Sequence, residues 1–221
     1  MNKAQLRAAL ANEIQDESYS SLQLDDWIHQ AALRTAGEVK LPDLKRLGSV
    51  TTVVDQAYAT LAELNGGFSG RLSRVLNYDL EVYPSLDLLA DAYASITGNE
   101  GMDSAGELEA VALEGRNLWY QYIPETPVTL ALIYYQNPPA LSTDTEEPSY
   151  IPEELHYRLL VNGAAFLIFN QIEDGEDDGK VNTNVHFNAS FSWDNKHSGI
   201  NALRAWVSRN RVPHVSSRWD A

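Results

Sequence analysis

One stretch limits what this chain can fold into more than any other: Ile151 to Ile172, IPEELHYRLLVNGAAFLIFNQI. Leu155, Leu159, Asn162, Phe166 and Phe169 return close to the 3.6-residue turn, and Leu160, Ala164 and Ile168 widen the stripe. The spacing predicts one long helix, with an apolar surface too broad for an exposed position. Pro152 suits the first helical turn, where its missing N–H removes only a donor without a partner, and Glu153 and Glu154 place negative charge on the positive end of the dipole. Gly163, Ala164 and Ala165 let a second helix approach closely, and the acidic run Glu173 to Asp178 ends the element. Other segments must cover such a helix.

Those segments are legible on either side. Residues 2 to 15 place Leu6, Leu10 and Ile14 on one helical face. Leu22 to Val39, with Ser21 as its cap, repeats Leu24, Ile28, Ala31 and Thr35 beside Trp27. Thr183 to Arg211 carries Phe187 and Phe191, then Ile200, Leu203 and Val207, with a weak stretch from Ser192 to Gly199 that either kinks or divides it. Between these helices the chain turns to β-branched residues. Val50 to Val54 predicts a strand with Ala57 to Leu61 as its hairpin partner. Leu108 to Leu113 and Asn117 to Ile123 flank a turn at Glu114-Gly115-Arg116, and Val128 to Tyr135 is the last strand. Ser85 caps a short helix that includes Leu89 and Tyr93. The expected fold is α+β and mainly α: an antiparallel helical bundle from residues 1–47 and 136–211, a β-rich insertion with one short helix over 48–135, and an extended C-terminal tail over 212–221.

Composition narrows the function. Among 221 residues, 31 are acidic and 16 are Lys or Arg, for a formal net charge of −15. Gripping nucleic acid by its phosphates needs clustered cations, so duplex binding is not expected, and repulsion suits a surface past which DNA must move without sticking. With no cysteine, disulfides, thiolate metal sites and cysteine nucleophiles are all excluded. No run reaches the roughly 18 apolar residues of a membrane span. Met1 to Asp16 lacks the apolar core of a signal peptide, which predicts a protein made in the cytoplasm without membrane association.

The chemical motifs fail on inspection. Gly175 to Lys180 lacks the glycine spacing and the Ser or Thr of a phosphate loop. The same acidic run ends on Val185, where a calcium loop needs a bidentate Glu. His186, Ser190 and Asp194 fall at four-residue steps along one predicted helix, from which side chains do not converge on a reacting atom. Glu153 and His156 lie one turn apart without a second pair to complete a bundle-type metal site. No catalytic residue, cofactor or metal is therefore expected. Trp119, Tyr120, Tyr122, Tyr134 and Tyr135 belong to predicted strands. Trp219 instead stands beside Arg218 in a tail without periodicity, where it reads either as folded back on its own body or as an anchor for a partner's pocket.

The order of elements, and above all the passage ALIYYQNPPAL followed by a polar loop and IPEELHYRLLVNGAAFLIF, resembles the head-to-tail adaptor (connector) proteins of tailed bacteriophages. The resemblance implies a virion structural protein without enzymatic activity. It further implies a homo-oligomeric ring, usually a dodecamer, beneath the portal at the head-tail junction, offering a surface to the next neck or tail protein while DNA passes through its lumen. In that family the C-terminal segment reaches into the portal ring, a role that falls here on Val212, Pro213, His214, Val215, Arg218 and Trp219. Two other readings stand beside it: a neck stopper or tail-completion protein, and a helix-bundle metal-dependent hydrolase using Glu153 and His156.

Overall fold

The computed structural model describes residues 1–64, 67–76, 80–97, 104–173 and 181–210. Two compact units emerge, one from Met1–Asp43 with the chain after Pro138, the other from Leu44–Asn137. The acidic run 174–180 and the C-terminal residues 211–221 lie outside the described residues.

In the first unit, helix α1 (Lys3–Ile14) and helix α2 (Ser21–Glu38) each open with a reciprocal capping box. Asn2 and Gln5 exchange side-chain and backbone hydrogen bonds at 2.9 Å, and Ser20 and Gln23 exchange theirs at 2.9 and 3.3 Å. The cap of α2 is thus Ser20, one residue earlier than the sequence pattern indicates. Leu6, Leu10 and Ile14 of α1 and Leu24, Ile28, Ala31 and Thr35 of α2 are buried. The expected long helix is composite: a 3₁₀ turn at Glu153–Leu155, a π-helical turn at Tyr157–Val161, then helix α4 (Asn162–Ile172). It is nevertheless the centre, packing against α1, α2 and helix α5 (Val181–Ser190), with Leu159, Leu160, Val161, Ala164, Ala165 and Ile168 fully buried. The Ser192–Gly199 stretch resolves into a break, and helix α6 (Gly199–Asn210) is separate from α5.

The second unit is a sandwich of two sheets. Strand β1 (Lys45–Thr51) and strand β3 (Phe68–Val75) both pair antiparallel with strand β7 (Thr129–Gln136), in the order β1-β7-β3. The other sheet contains β2 (Tyr58–Thr60), β4 (Glu81–Tyr83), β5 (Ala110–Glu114) and β6 (Asn117–Tyr120), in the order β2-β6-β5-β4. Strands β5 and β6 form the anticipated hairpin, with Gly115 at φ 62° in its turn. Strands β4 and β5 are parallel, so the chain between them crosses over, and helix α3 (Leu86–Thr97) lies in that crossover, capped by Ser85 Oγ accepting from Leu88 N–H. Leu61, Phe68 and Val111 meet Leu118, Tyr120, Leu130, Leu132 and Tyr134 in the core between the sheets. A side chain at Gly48 would begin 2.8 Å from the Tyr134 ring, so glycine is what admits that tyrosine beneath β1.

Two expectations are corrected. The chain is 44% helical and 21% strand, with two sheets and six helices among the described residues, and is a mixed α+β protein rather than a mainly α antiparallel helical bundle. The central helix opens in 3₁₀ and π turns rather than running as one α-helix, and of the two readings left open for Thr183 to Arg211, a kink or a division, the structure shows the division. The hairpin between Val50–Val54 and Ala57–Leu61 does not form. Thr52 stays bound to Val128, accepting at Oγ from its N–H and donating its own N–H to its carbonyl, both at 2.9 Å. Asp55 then takes φ 63°, and β2 joins the opposite sheet.

The close approach at Gly163 is testable. A Cβ there would lie 2.9 Å from Phe191 Cζ and 3.1 Å from Ala31 Cβ, so Gly163→Ala should destabilise the protein by roughly 1–3 kcal/mol through overpacking. Phe166→Ala, which empties the site against Phe187 and Phe191, should cost about 3–5 kcal/mol. Both are read from urea denaturation midpoints at unchanged slope.

Candidate functional site

In the first unit, the segment after the paired prolines is pinned rather than loose. Glu146 accepts from Ser142 N–H at 2.6 Å and Ser142 Oγ–H at 2.7 Å, and those bonds hold its carboxyl below the ordinary range. The carbonyls of Asp144 and Glu146 accept from Ala4 and Lys3 N–H, two of the unpaired donors that open α1. Arg7 grips Asp25 with two bonds of 2.8 Å and reaches Asp144 at 3.0 Å, while Lys3 approaches Asp25 at 3.2 Å. Loop, α1 and α2 are thereby tied together.

Between them lies a cleft of about 190 Å³. Leu22, Ile28, Ala32, Pro139, Leu141, Pro148, Tyr150 and Leu160 form its apolar wall, and Asp25, Asp26, His29 and Lys3 its polar rim. Its lining is mainly apolar, and its charged rim includes the Lys3–Asp25 ion pair at 3.2 Å. Sequence reasoning missed it, although Leu22 offered a signal: it lies off the Leu24, Ile28, Ala31 stripe and is 71% exposed. A second missed surface joins α4 to α5, where Ile172, Val181 and Val185 are all exposed.

Two of the motifs weighed as chemistry, the one at His186 and the one at His156, make structural contacts. Asn162 Nδ2 donates to the Tyr157 carbonyl at 3.4 Å, so its Oδ1 is the acceptor for His186 Nδ1–H at 2.9 Å, and the His186 ring stacks 5.3 Å from Phe169 at 7°. Ser190 donates to the His186 backbone carbonyl at 2.7 Å and Asp194 is exposed beyond the helix, so no triad assembles. His156 is buried and donates from Nε2 to the Ile151 carbonyl at 2.8 Å, leaving Nδ1 to accept from the Met1 amino group at 2.9 Å. Neither ring nitrogen is left for a metal, and no cluster of three or more ligating side chains occurs among the described residues. Glu173 closes the network by accepting from Thr183 Oγ–H at 2.7 Å and Thr183 N–H at 3.1 Å, which lowers its carboxyl. The aromatic strand residues serve packing: Trp119 lies 4.8 Å from Tyr58, and Tyr120 and Tyr134 are in the sandwich core. Val212, Pro213, His214, Val215, Arg218 and Trp219 lie outside the described residues.

The family model described as SU10 adaptor protein matches residues 1–216, and the chain belongs to that family of phage head-to-tail adaptors. It is a bacteriophage adaptor and a virion component. No curated protein matches the chain. No helix among the described residues is long and apolar enough to cross a membrane.

The two buried imidazoles set a pH dependence. Burial lowers His186 below 6.5 despite the opposing fields of Glu13 and Glu173, and burial lowers His156 likewise. Between the folded and unfolded pKa values the unfolded chain binds protons that the folded chain refuses, so their contribution is complete above about 6.5 and falls as the medium becomes more acidic. Thermal stability should therefore decline from pH 7 to pH 5, by at most about 1.4 kcal/mol per pH unit for each ring. His186→Gln should show a shallower decline over that window in melting curves.

Proposed function

We propose that this adaptor assembles as a ring, a dodecamer, beneath the portal vertex and joins the DNA-filled capsid to the neck or tail. The observation that carries this reading is the family match across residues 1–216, nearly the whole chain, which fits an adaptor acting as one piece. The ring binds the portal on one side and a downstream neck or tail protein on the other. Copies with 31 acidic and 16 basic residues around a channel give a negative lumen that repels DNA phosphates, so DNA passes without specific binding.

Attachment to the portal falls to the C-terminal tail. Val212 to Val215 lie within the family match, and Arg218 and Trp219 extend beyond it. A segment that orders on binding surrenders conformational entropy and so depends on a few anchors of large contact area. Trp219 supplies such an anchor, and Arg218 can pair with an acidic rim on the portal.

Deleting residues 212–221 should leave the thermal melt nearly unchanged and abolish co-sedimentation with portal rings. Trp219→Ala alone should weaken docking by about 2 kcal/mol or more. Portal rings that take up the truncated protein at the same concentration as the full chain would place attachment elsewhere. Titrated with duplex DNA at physiological salt, the intact protein should show no salt-sensitive binding; micromolar affinity would overturn the repulsive lumen.

A further inference from the structure

The two sheets of the β unit carry opposite charge. In this acidic chain, β1 (KRLGSVT), β3 (FSGRLSRV) and β7 (TLALIYYQ) contain no carboxylate, yet hold Lys45, Arg46, Arg71 and Arg74. Strands β2, β4, β5 and β6 with helix α3 contain no Lys or Arg, yet hold Glu81, Asp87, Asp91 and Glu114; Glu107 and Glu109 precede β5, and Arg116 in the β5–β6 turn is the cation beside them.

Register and packing place these charges on opposite sides of the sandwich. Lys45 pairs with Tyr135, Leu47 with Ile133, and Arg74 also with Ile133. Gly48 meets the Tyr134 ring and Leu132 lies in the core, so the alternating residues Lys45, Leu47 and Arg74 share the outer face. On the other sheet Val111 faces the core, and Ala110 and Ala112 face away from it, packed with Leu89 beneath α3. The exposed side of α3, with Asp87, Leu88 and Asp91 at helical spacing, therefore points away from Leu47. Leu47 is 71% exposed and Leu88 49%. Each side thus presents an exposed leucine among charges of one sign.

Two different but complementary patches on opposite sides of one body make a head-to-tail contact, the kind that generates rings. We propose that the β unit joins neighbouring copies, with Lys45, Leu47 and Arg74 of one copy docking on Asp87, Leu88 and Asp91 of the next. The proposal rests on the ring reading above and adds the surfaces that build the ring. Duplex DNA is the competing occupant of the cationic side, and the acidic character of the remaining chain disfavours it.

Sedimentation velocity of the full chain, without portal, at low and high salt and up to its solubility limit, tests the contact. The native chain should self-associate with increasing concentration, less so at high salt. Lys45→Glu with Arg74→Glu, and separately Asp87→Lys with Asp91→Lys, should each lower the association constant by at least about tenfold with unchanged melts. Mixing the two variants should restore association, because each then meets a complementary partner. A native chain that stays monomeric throughout, reversed variants that associate like the native chain, or a mixture that recovers nothing overturns the proposal. So does a Lys45 and Arg74 reversal that removes salt-sensitive duplex binding while leaving association intact. Portal co-sedimentation separates the two readings. If portal rings take up all variants equally, the ring stands and this contact is wrong. If the variants complement one another yet no form binds portal, the contact stands and the portal reading is wrong.

Discussion

The helical unit depends on one close approach. Helix α4 is its centre because Gly163 has no side chain, which brings the α4 backbone against Ala31 of α2 and the Phe191 ring at the end of α5. Phe166 can then meet Phe187 and Phe191 at 5.4 and 6.1 Å, with the Arg34 guanidinium 4.9 Å from its ring centre. Opening that approach by even one methyl would displace several large groups at once, since a packed interior has little slack.

The π turn before α4 serves the same purpose. It carries the Tyr157 carbonyl to both the backbone N–H and the side chain of Asn162, and Asn162 in turn fixes the buried His186. Buried polar groups that find partners cost little, and here they set the rotation of α5 against α4. Glu173 binding Thr183 repeats the device at the other end of the helix pair. Around this core the Arg7, Asp25 and Asp144 cluster fastens the pinned loop, so the cleft beside Leu22 has firm walls.

The β unit is stabilised independently by its own sandwich core, and its register is governed by Gly48 admitting Tyr134. On its outer sides Leu47 of β1 and Leu88 of α3 remain exposed. The segregation of charge between those faces cannot come from folding requirements alone, since exposed charges of either sign would satisfy the sandwich equally well.

Local pattern determined much of this protein. The apolar periods of Leu6-Leu10-Ile14, Leu24-Ile28-Ala31 and Leu159-Phe166 announced buried helices, and Glu114-Gly115-Arg116 announced a hairpin, because such signals lie within a few residues. The NPPAL passage and the helix after it were enough to indicate the adaptor family. Tertiary structure decided the rest. Whether Val50–Val54 pairs with its neighbour or with Val128 and β7 depends on contacts distant in sequence. The same applies to the bond between Asn162 and His186, 24 residues apart, and to the balance of helix and sheet that makes this a mixed α+β protein rather than a helical bundle. The opposed charged faces are invisible along the chain, where Lys45 and Arg74 are far apart, and appear only when β7 draws β1 and β3 to its two sides.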